Sequence, residues 1–404
     1  MNRRQWTILI VAWLGWVFDI MDTALFNFAK GPMLKEMMGE AAYRVSGAAV
    51  EGRIQMLFLV GWSIGGLVFG ILADRWGRGK TLVVTILLYS ALTGLTALCQ
   101  TPDQVMWLRF FTAFGIGGEW AAGAALVAET VPADWRARAS SYLQSAAAFG
   151  PWLAALANIS VPAGNWRALF ILGAAPALLC VFIRMRVPEG PAPARVPPNL
   201  RLVFQDKALM RNLAVACGLG IVGVTGAGIL PFWLPNLVEQ AGKMLGEEAK
   251  RDFLSLNTFT LHIGTLAGVF VFPWLAQRFG RRPLFAIFFV MAPTMTALAL
   301  AQGPNLDRLL YLLPLASFFS VGVSSGFVLY FPELFPSWFR ATGSGVAYNA
   351  GRIVSAPIPA MVGMIIAQRG GDVIPGVLIA SAIYAFGLIA LVFAPETKGK
   401  PLPA

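Results

Sequence analysis

The 404-residue chain is 57% hydrophobic and only 13% charged, with a mean hydropathy of +0.68. A soluble domain carries about 25% charged residues, and disorder needs low hydrophobicity, so both classes are excluded. What remains is a polytopic helical membrane protein, in which a net charge of +11 reflects basic cytoplasmic loops rather than a nucleic-acid partner.

A membrane-crossing helix needs about 20 apolar residues. Twelve spans are predicted, at about 6–29, 54–73, 81–100, 103–128, 139–160, 166–186, 209–235, 253–276, 283–302, 307–331, 342–367 and 374–394. The first follows Arg3-Arg4 without a small-residue cleavage site, so it reads as a retained span. The predicted fold is an all-α membrane protein of twelve transmembrane helices in two pseudo-symmetric six-helix bundles. The Pro-rich segment 187–208 separates a bundle at 1–186 from one at 209–404. The halves repeat: Glu129-x-x-Pro132-x-x-x-Arg136-Ala137-x-x-Ser140 recurs as Glu333-x-x-Pro336-x-x-x-Arg340-Ala341-x-x-Ser344. Asp74-Arg75-Trp76-Gly77-Arg78 recurs as Gln277-Arg278-Phe279-Gly280-Arg281. Parallel repeats of this kind place a binding site between the halves at mid-membrane.

Of the 31 basic residues, 19 fall on the side of the termini and 10 on the other, with Arg109 and Arg352 inside spans. Both termini are therefore expected in the cytoplasm, and the chain in a bacterial inner membrane. Cys99, Cys180 and Cys217 lie in separate apolar runs and His262 is the sole histidine, so neither a metal site nor a cofactor is expected. With no nucleophile–base pair and no room for a sensor domain, an enzyme or a receptor has little support. The expected partners are a small-molecule substrate, protons and the lipid bilayer, with no nucleic acid, and the expected state is a monomer.

The stretch Gly70-Ile-Leu-Ala-Asp74-Arg75-Trp-Gly77-Arg78-Gly79-Lys80 resembles the signature loop between spans two and three of the major facilitator superfamily. The resemblance implies a cytoplasmic gate formed by Asp74, Arg75 and Arg78, with Arg278 in the second copy. Glu129, Arg136, Glu333 and Arg340 belong, on the same resemblance, to gating contacts at the cytoplasmic helix ends. Arg109-Phe-Phe-Thr-Ala-Phe-Gly115-Ile-Gly117-Gly118-Glu119-Trp120 and the tags Pro188-Glu189 and Pro395-Glu396-Thr397-Lys398-Gly399 resemble the sugar-porter and metabolite:proton symporter branch. Gly15-Trp16-x-x-Asp19-x-x-Asp22 is most similar to sialate and monocarboxylate:proton symporters.

Charges inside spans are costly, so each is a functional candidate. Asp19 and Asp22 share one face of span one. Asp22 lies about 24 Å from the cytoplasmic start of its span and Arg109 about 9 Å from the outer start of span four, depths that allow them to pair. The sugar-porter resemblance makes that Asp the proton site and the Arg its partner, although Asp19 is an equal candidate on position alone. Withdrawing the Arg in one conformation favours protonation of the acid, which couples a proton to alternating access. Arg352 lies roughly 15 Å into span eleven, ahead of Pro357 and Pro359, where a cation suits an anionic ligand. Its repeat partner is Ala148, so the charge is not part of the symmetric scaffold. Trp120, Tyr348, Asn257 and His262 are further candidates for the substrate cavity, together with Trp16, Trp233 and Tyr330. Glu119, in the inner half of span four, is assigned to an inner gate. The expected function is proton-coupled uptake of a small organic anion, a monocarboxylate or a sialic-acid-like compound. The alternatives are a proton-driven efflux antiporter, hinted at by Gly150-Pro151-x-x-Ala154-Ala155, and a sugar porter for a neutral substrate.

Overall fold

The computed structural model describes residues 3–76, 78–130, 135–185 and 203–403, apart from 204, 302, 304, 337, 401 and 402. Its elements are helices. The first six are α1 Arg3–Met38, α2 Glu40–Trp76, α3 Arg78–Thr96, α4 Pro102–Thr130, α5 Arg136–Ser160 and α6 Trp166–Met185. The next four are α7 Lys207–Ala241, α8 Glu247–Phe279, α9 Arg281–Leu300 and α10 Leu306–Ser320. The last five are α11 Ser324–Leu334, α12 Arg340–Ser355, α13 Pro357–Gln368, α14 Val373–Ser381 and α15 Ile383–Phe393. Among the described residues, 8 helical stretches are long and apolar enough to cross a membrane. Three of these, Leu306–Leu334, Thr342–Gln368 and Val373–Phe393, are single spans broken in mid-course. Counting each broken span once and adding α3 to α6 gives the expected twelve.

Local chemistry sets the helix ends. Asp206 accepts hydrogen bonds from the backbone N–H groups of Ala208 and Leu209 to start α7, and Asn305 and Asp372 do the same for α10 and α14. The α12–α13 break falls at Pro357, whose missing N–H cannot continue the helical ladder. Gly280 joins α8 to α9 at φ +97°, a left-handed conformation that any side chain would strain.

Two predicted loops proved to be largely helical. Residues 30–53 continue α1 and α2 with only Gly39 between them, and α7 runs on to Ala241. Hydropathy alone ends a span at its first charges. Here the helices run on because Lys30, Lys35 and Glu51 find partners, described below.

Helix α1 packs on α2, α4, α5 and α6, and α2 on α4; in the second group α7 packs on α12, α14 and α15, and α8 on α10. The groups meet through α2 with α12 and α13, α5 with α8, and α1 with α7. One apolar cluster, including Phe26, Met33, Trp166, Phe232, Trp233 and Leu237, bridges both groups at the end remote from the termini. A second, around Phe272, Phe285, Phe288 and Tyr330, belongs to the second group alone.

Candidate functional site

Between the groups lies a cavity of about 240 Å³, walled by α1 (Trp16, Asn27), α2 (Gln55, Trp62), α7, α8 (Thr258, His262) and α12 (Tyr348, Arg352). Arg352 occupies the last turn of α12, just before the Pro357 break. Its residue is only 6% exposed. The guanidinium carbon lies 4.3 Å from the Trp62 ring centroid and 4.6 Å from that of Tyr348. Nη1 donates to Asn349 Oδ1 at 3.3 Å. Two rings thus hold a planar cation in one orientation on the cavity wall, a contact of about 0.5–2 kcal/mol per ring. The neighbouring Gly351 lets α12 lie directly on α7, since a Cβ there would run into the Gly220 backbone. Backbone contact therefore sets where Arg352 starts from.

Beside the cavity, Arg109 Nη1 meets Asp22 Oδ2 at 2.7 Å, with both side chains 1% exposed. Thr93 donates to the other oxygen, Oδ1, at 2.6 Å. The guanidinium carbon of Arg109 sits 4.8 Å from the Phe26 ring centroid and 4.5 Å from that of Phe58. One turn earlier on α1, Asp19 is fully buried. The carboxyl of Glu119 on α4 faces it and rests against Gly15. The apolar interior thus holds a compensated acid, Asp22, and beside it two acids that face each other.

The end remote from the termini is sealed by polar contacts between the groups. Lys30 Nζ lies 2.9 Å from Glu51 Oε2. It also donates to the Phe232 carbonyl at 2.6 Å and sits 3.7 Å from the Phe232 ring centroid. Glu51 accepts from Tyr43 Oη at 2.7 Å and Asn236 Nδ2 at 3.0 Å. Lys35 and Lys250 share Glu239 at 3.0 and 3.4 Å. Asn158 bonds Ser255, and Trp152 bonds the Phe259 carbonyl.

At the opposite end, Arg281 grips Glu333 with two bonds, Nε to Oε2 at 3.0 Å and Nη2 to Oε1 at 2.7 Å. Thr397 donates to the same carboxylate. Glu396 accepts from the backbone N–H groups of Arg281, Arg282, Thr397 and Lys398. Burial pushes its carboxyl upward, but these four donors outweigh it and hold the carboxyl below its ordinary value. Glu396 therefore caps the N-terminus of α9.

The family model of the Major Facilitator Superfamily matches residues 12–359. The chain belongs to the Major Facilitator Superfamily. It is similar to a protein of Cupriavidus pinatubonensis named a probable 4-methylmuconolactone transporter, 31% identical over 396 residues, 95% of this chain and 89% of that one. It is also 30% identical over 423 residues to the cis,cis-muconate transport protein of Acinetobacter baylyi, 99% of this chain and 97% of that one. The fold matches the crystal structure of a D-xylose–proton symporter at a TM-score of 0.77 and 22% identity, covering 98% of this chain and 99% of that one. The protein is thus a multi-pass membrane transporter and not an enzyme.

Within this superfamily member, the residues named from sequence are placed unevenly. Asp22 and Arg109 meet, as their depths allowed. Arg352, Tyr348 and His262 line the cavity, as does Trp16. Asn257 does not: it is fully buried and its Nδ2 donates to the Phe253 carbonyl. Trp233 packs in the bridging cluster, and Tyr330 donates to the Pro395 carbonyl. Glu119 sits beside Asp19, deep in the first group. Arg278 stacks on Trp274, 4.3 Å from its centroid, and Arg281 is what holds Glu333. Arg340 donates to the carbonyls of Pro332, Phe335 and Pro403. The side chains of Asp74, Arg75, Arg78, Trp120, Glu129 and Arg136 lie outside the described residues. Sequence reasoning passed over Asn27, Gln55, Trp62, Lys30 and Glu51. The pairing of the last two crosses from one helix to the next and leaves no spacing in the sequence.

Proposed function

We propose that the protein imports a small organic anion together with protons, by alternating access around the central cavity. The observation that carries this reading is the guanidinium of Arg352, buried on the cavity wall with its carbon 4.3 Å from the Trp62 ring centroid and 4.6 Å from that of Tyr348. A planar cation of this kind binds a carboxylate through paired hydrogen bonds. The same rings suit a flat, unsaturated body, and Phe28 and Phe232 also line the cavity. Relatives named for muconate and methylmuconolactone transport support an acid of that shape.

Asp22 is the coupling carboxylate in this scheme. While Arg109 and Thr93 hold it, it is a compensated anion. If Arg109 withdraws, an isolated buried charge is too costly and the acid takes a proton. Asp19, facing Glu119, is a second carboxylate on the same path. Taking the basic termini as cytoplasmic, the end closed by Lys30, Glu51 and Glu239 is the outer face. Each chain holds a complete cavity, which suits a monomer in a bacterial inner membrane.

The test is uptake of labelled benzoate or cis,cis-muconate into proteoliposomes with an imposed inward proton gradient. Accumulation above equilibrium that collapses with a protonophore supports the reading. Export driven by the same gradient would make the protein an antiporter, and carriage of neutral sugars in place of acids would make it a sugar porter.

A further inference from the structure

Resting on the reading of the cavity as a carboxylate site, we propose that His262 and Thr258 form a second subsite that selects the anion by its other end. It accepts a hydrogen bond from a hydroxyl or N–H group remote from the carboxylate, and so determines specificity among organic acids.

The two residues lie four positions apart on α8, on the same face, and both line the cavity. Their hydrogen-bonding roles are settled by their neighbours. Thr258 Oγ1 donates to the Leu254 carbonyl at 2.8 Å. Its one hydrogen is committed there, so only lone pairs remain for a ligand. His262 Nδ1 lies 2.8 Å from the Thr258 carbonyl. A carbonyl only accepts, so Nδ1 carries the ring hydrogen, and in the neutral ring Nε2 presents a lone pair. No carboxylate pairs with this ring among the described residues. From α1, Asn27 adds a carbonyl oxygen, Oδ1, that is buried without a hydrogen-bond partner. One part of the cavity therefore offers acceptors, whereas Arg352 offers only donors.

The two poles are separated along the membrane normal. Arg352 lies twelve residues from the start of α12 and His262 seventeen from the end of α8, helix ends on the same side. At 1.5 Å per residue their backbones differ in depth by roughly 8 Å, with Thr258 about 6 Å further toward the sealed end. A ring bearing a carboxylate and, para to it, a hydroxyl bridges a gap of this order. The cavity of about 240 Å³ exceeds the ~150 Å³ that suffices for benzene in an apolar interior, which leaves room for both substituents. A ligand without the donor leaves buried acceptors unpaired, and sites built this way discriminate strongly.

The experiment measures uptake of labelled 4-hydroxybenzoate by the full chain in proteoliposomes, with benzoate and 4-methoxybenzoate as competitors. The wild type is expected to favour 4-hydroxybenzoate at least tenfold over both. In His262→Leu and in Thr258→Val that ratio falls toward one, whereas His262→Gln, which retains an acceptor, keeps most of it. Using two positions guards against one variant failing to fold. Equal affinities in the wild type overturn the subsite, as does an undiminished preference in both His262→Leu and Thr258→Val. If 4-hydroxybenzyl alcohol competes as well as 4-hydroxybenzoate, the carboxylate reading falls and takes the subsite with it; if cis,cis-muconate is accumulated but 4-hydroxybenzoate is not carried, the subsite alone is overturned.

Discussion

Lys30 of α1 and Glu51 of α2 form an ion pair at 2.9 Å with neither side chain exposed. The pair is clamped from the other half of the molecule: Phe232 gives Lys30 its carbonyl and ring face, and Asn236 donates to Glu51. All of these contacts to α7 exist only while the two halves are closed at this end. Opening it exposes both charges to water, which makes the pair a latch rather than a fixed strut.

Breaking one side of a buried ion pair costs about 3–5 kcal/mol, and here the cost falls on the closed state. Glu51→Gln is therefore expected to populate the state open at this end. Spin labels at Val45 and Met244, which are 72% and 97% exposed and sit on opposite halves, report the separation by pulsed electron resonance. The distance distribution shifts outward in the variant. An unchanged distribution removes the latch from the closing machinery.

Asp22→Asn is expected to abolish accumulation against a gradient while leaving exchange of substrate across the membrane. The in/out ratio at steady state then falls to about one, and counterflow persists. Uphill accumulation by this variant excludes Asp22 as the coupling group and shifts attention to Asp19 and Glu119.

Arg352→Lys keeps the charge but loses the flat fork and much of the stacking on Trp62 and Tyr348. Its KM for the transported acid rises by about tenfold. Arg352→Ala loses charge-assisted bonds worth about 1.5–3 kcal/mol, which corresponds to roughly 10–100-fold or more. Initial-rate uptake over a range of substrate concentrations measures both. Normal KM in the alanine variant is incompatible with an anion clamp.

Glu396 carries a pH prediction. Its carboxyl lies below the ordinary glutamate value in the folded chain because four backbone N–H groups bind the charged form. Stability from a lowered folded value is fully present above the unfolded value, and is lost as pH falls through the folded one. Melting temperatures of the wild type and Glu396→Gln in detergent should differ at pH 7 and converge as pH drops below the glutamate range. A gap that stays constant with pH means the cap acts through shape alone.

Much of this transporter was legible in its residues. Apolar runs of span length, the repeated Glu-x-x-Pro-x-x-x-Arg-Ala element and the Asp-Arg-Trp-Gly-Arg loop specified the helices, the halves and the family, because each depends on local spacing. Depth made an Asp22–Arg109 contact possible, since a helix rises by a constant step and the membrane sets a common origin. The Pro357 interruption was equally readable, since a missing N–H acts wherever the chain is helical.

Other features required the packed molecule. Lys30 and Glu51 read as loop charges because hydropathy cannot see a partner on another helix, and their burial depends on α7 closing over them. Arg281, rather than Arg278, holds Glu333 because the turn at Gly280 decides which of two neighbouring arginines faces inward. Asn257 and His262, five residues apart, point about 140° away from each other on one helix, and packing decided that His262 is the one facing the cavity. The sequence by itself determined that this chain spans a membrane, in two related halves with a few charges kept inside. Tertiary structure alone decided which of those charges meet each other and which face the cavity, because side-chain direction depends on how helices rotate and cross, and no residue spacing encodes that.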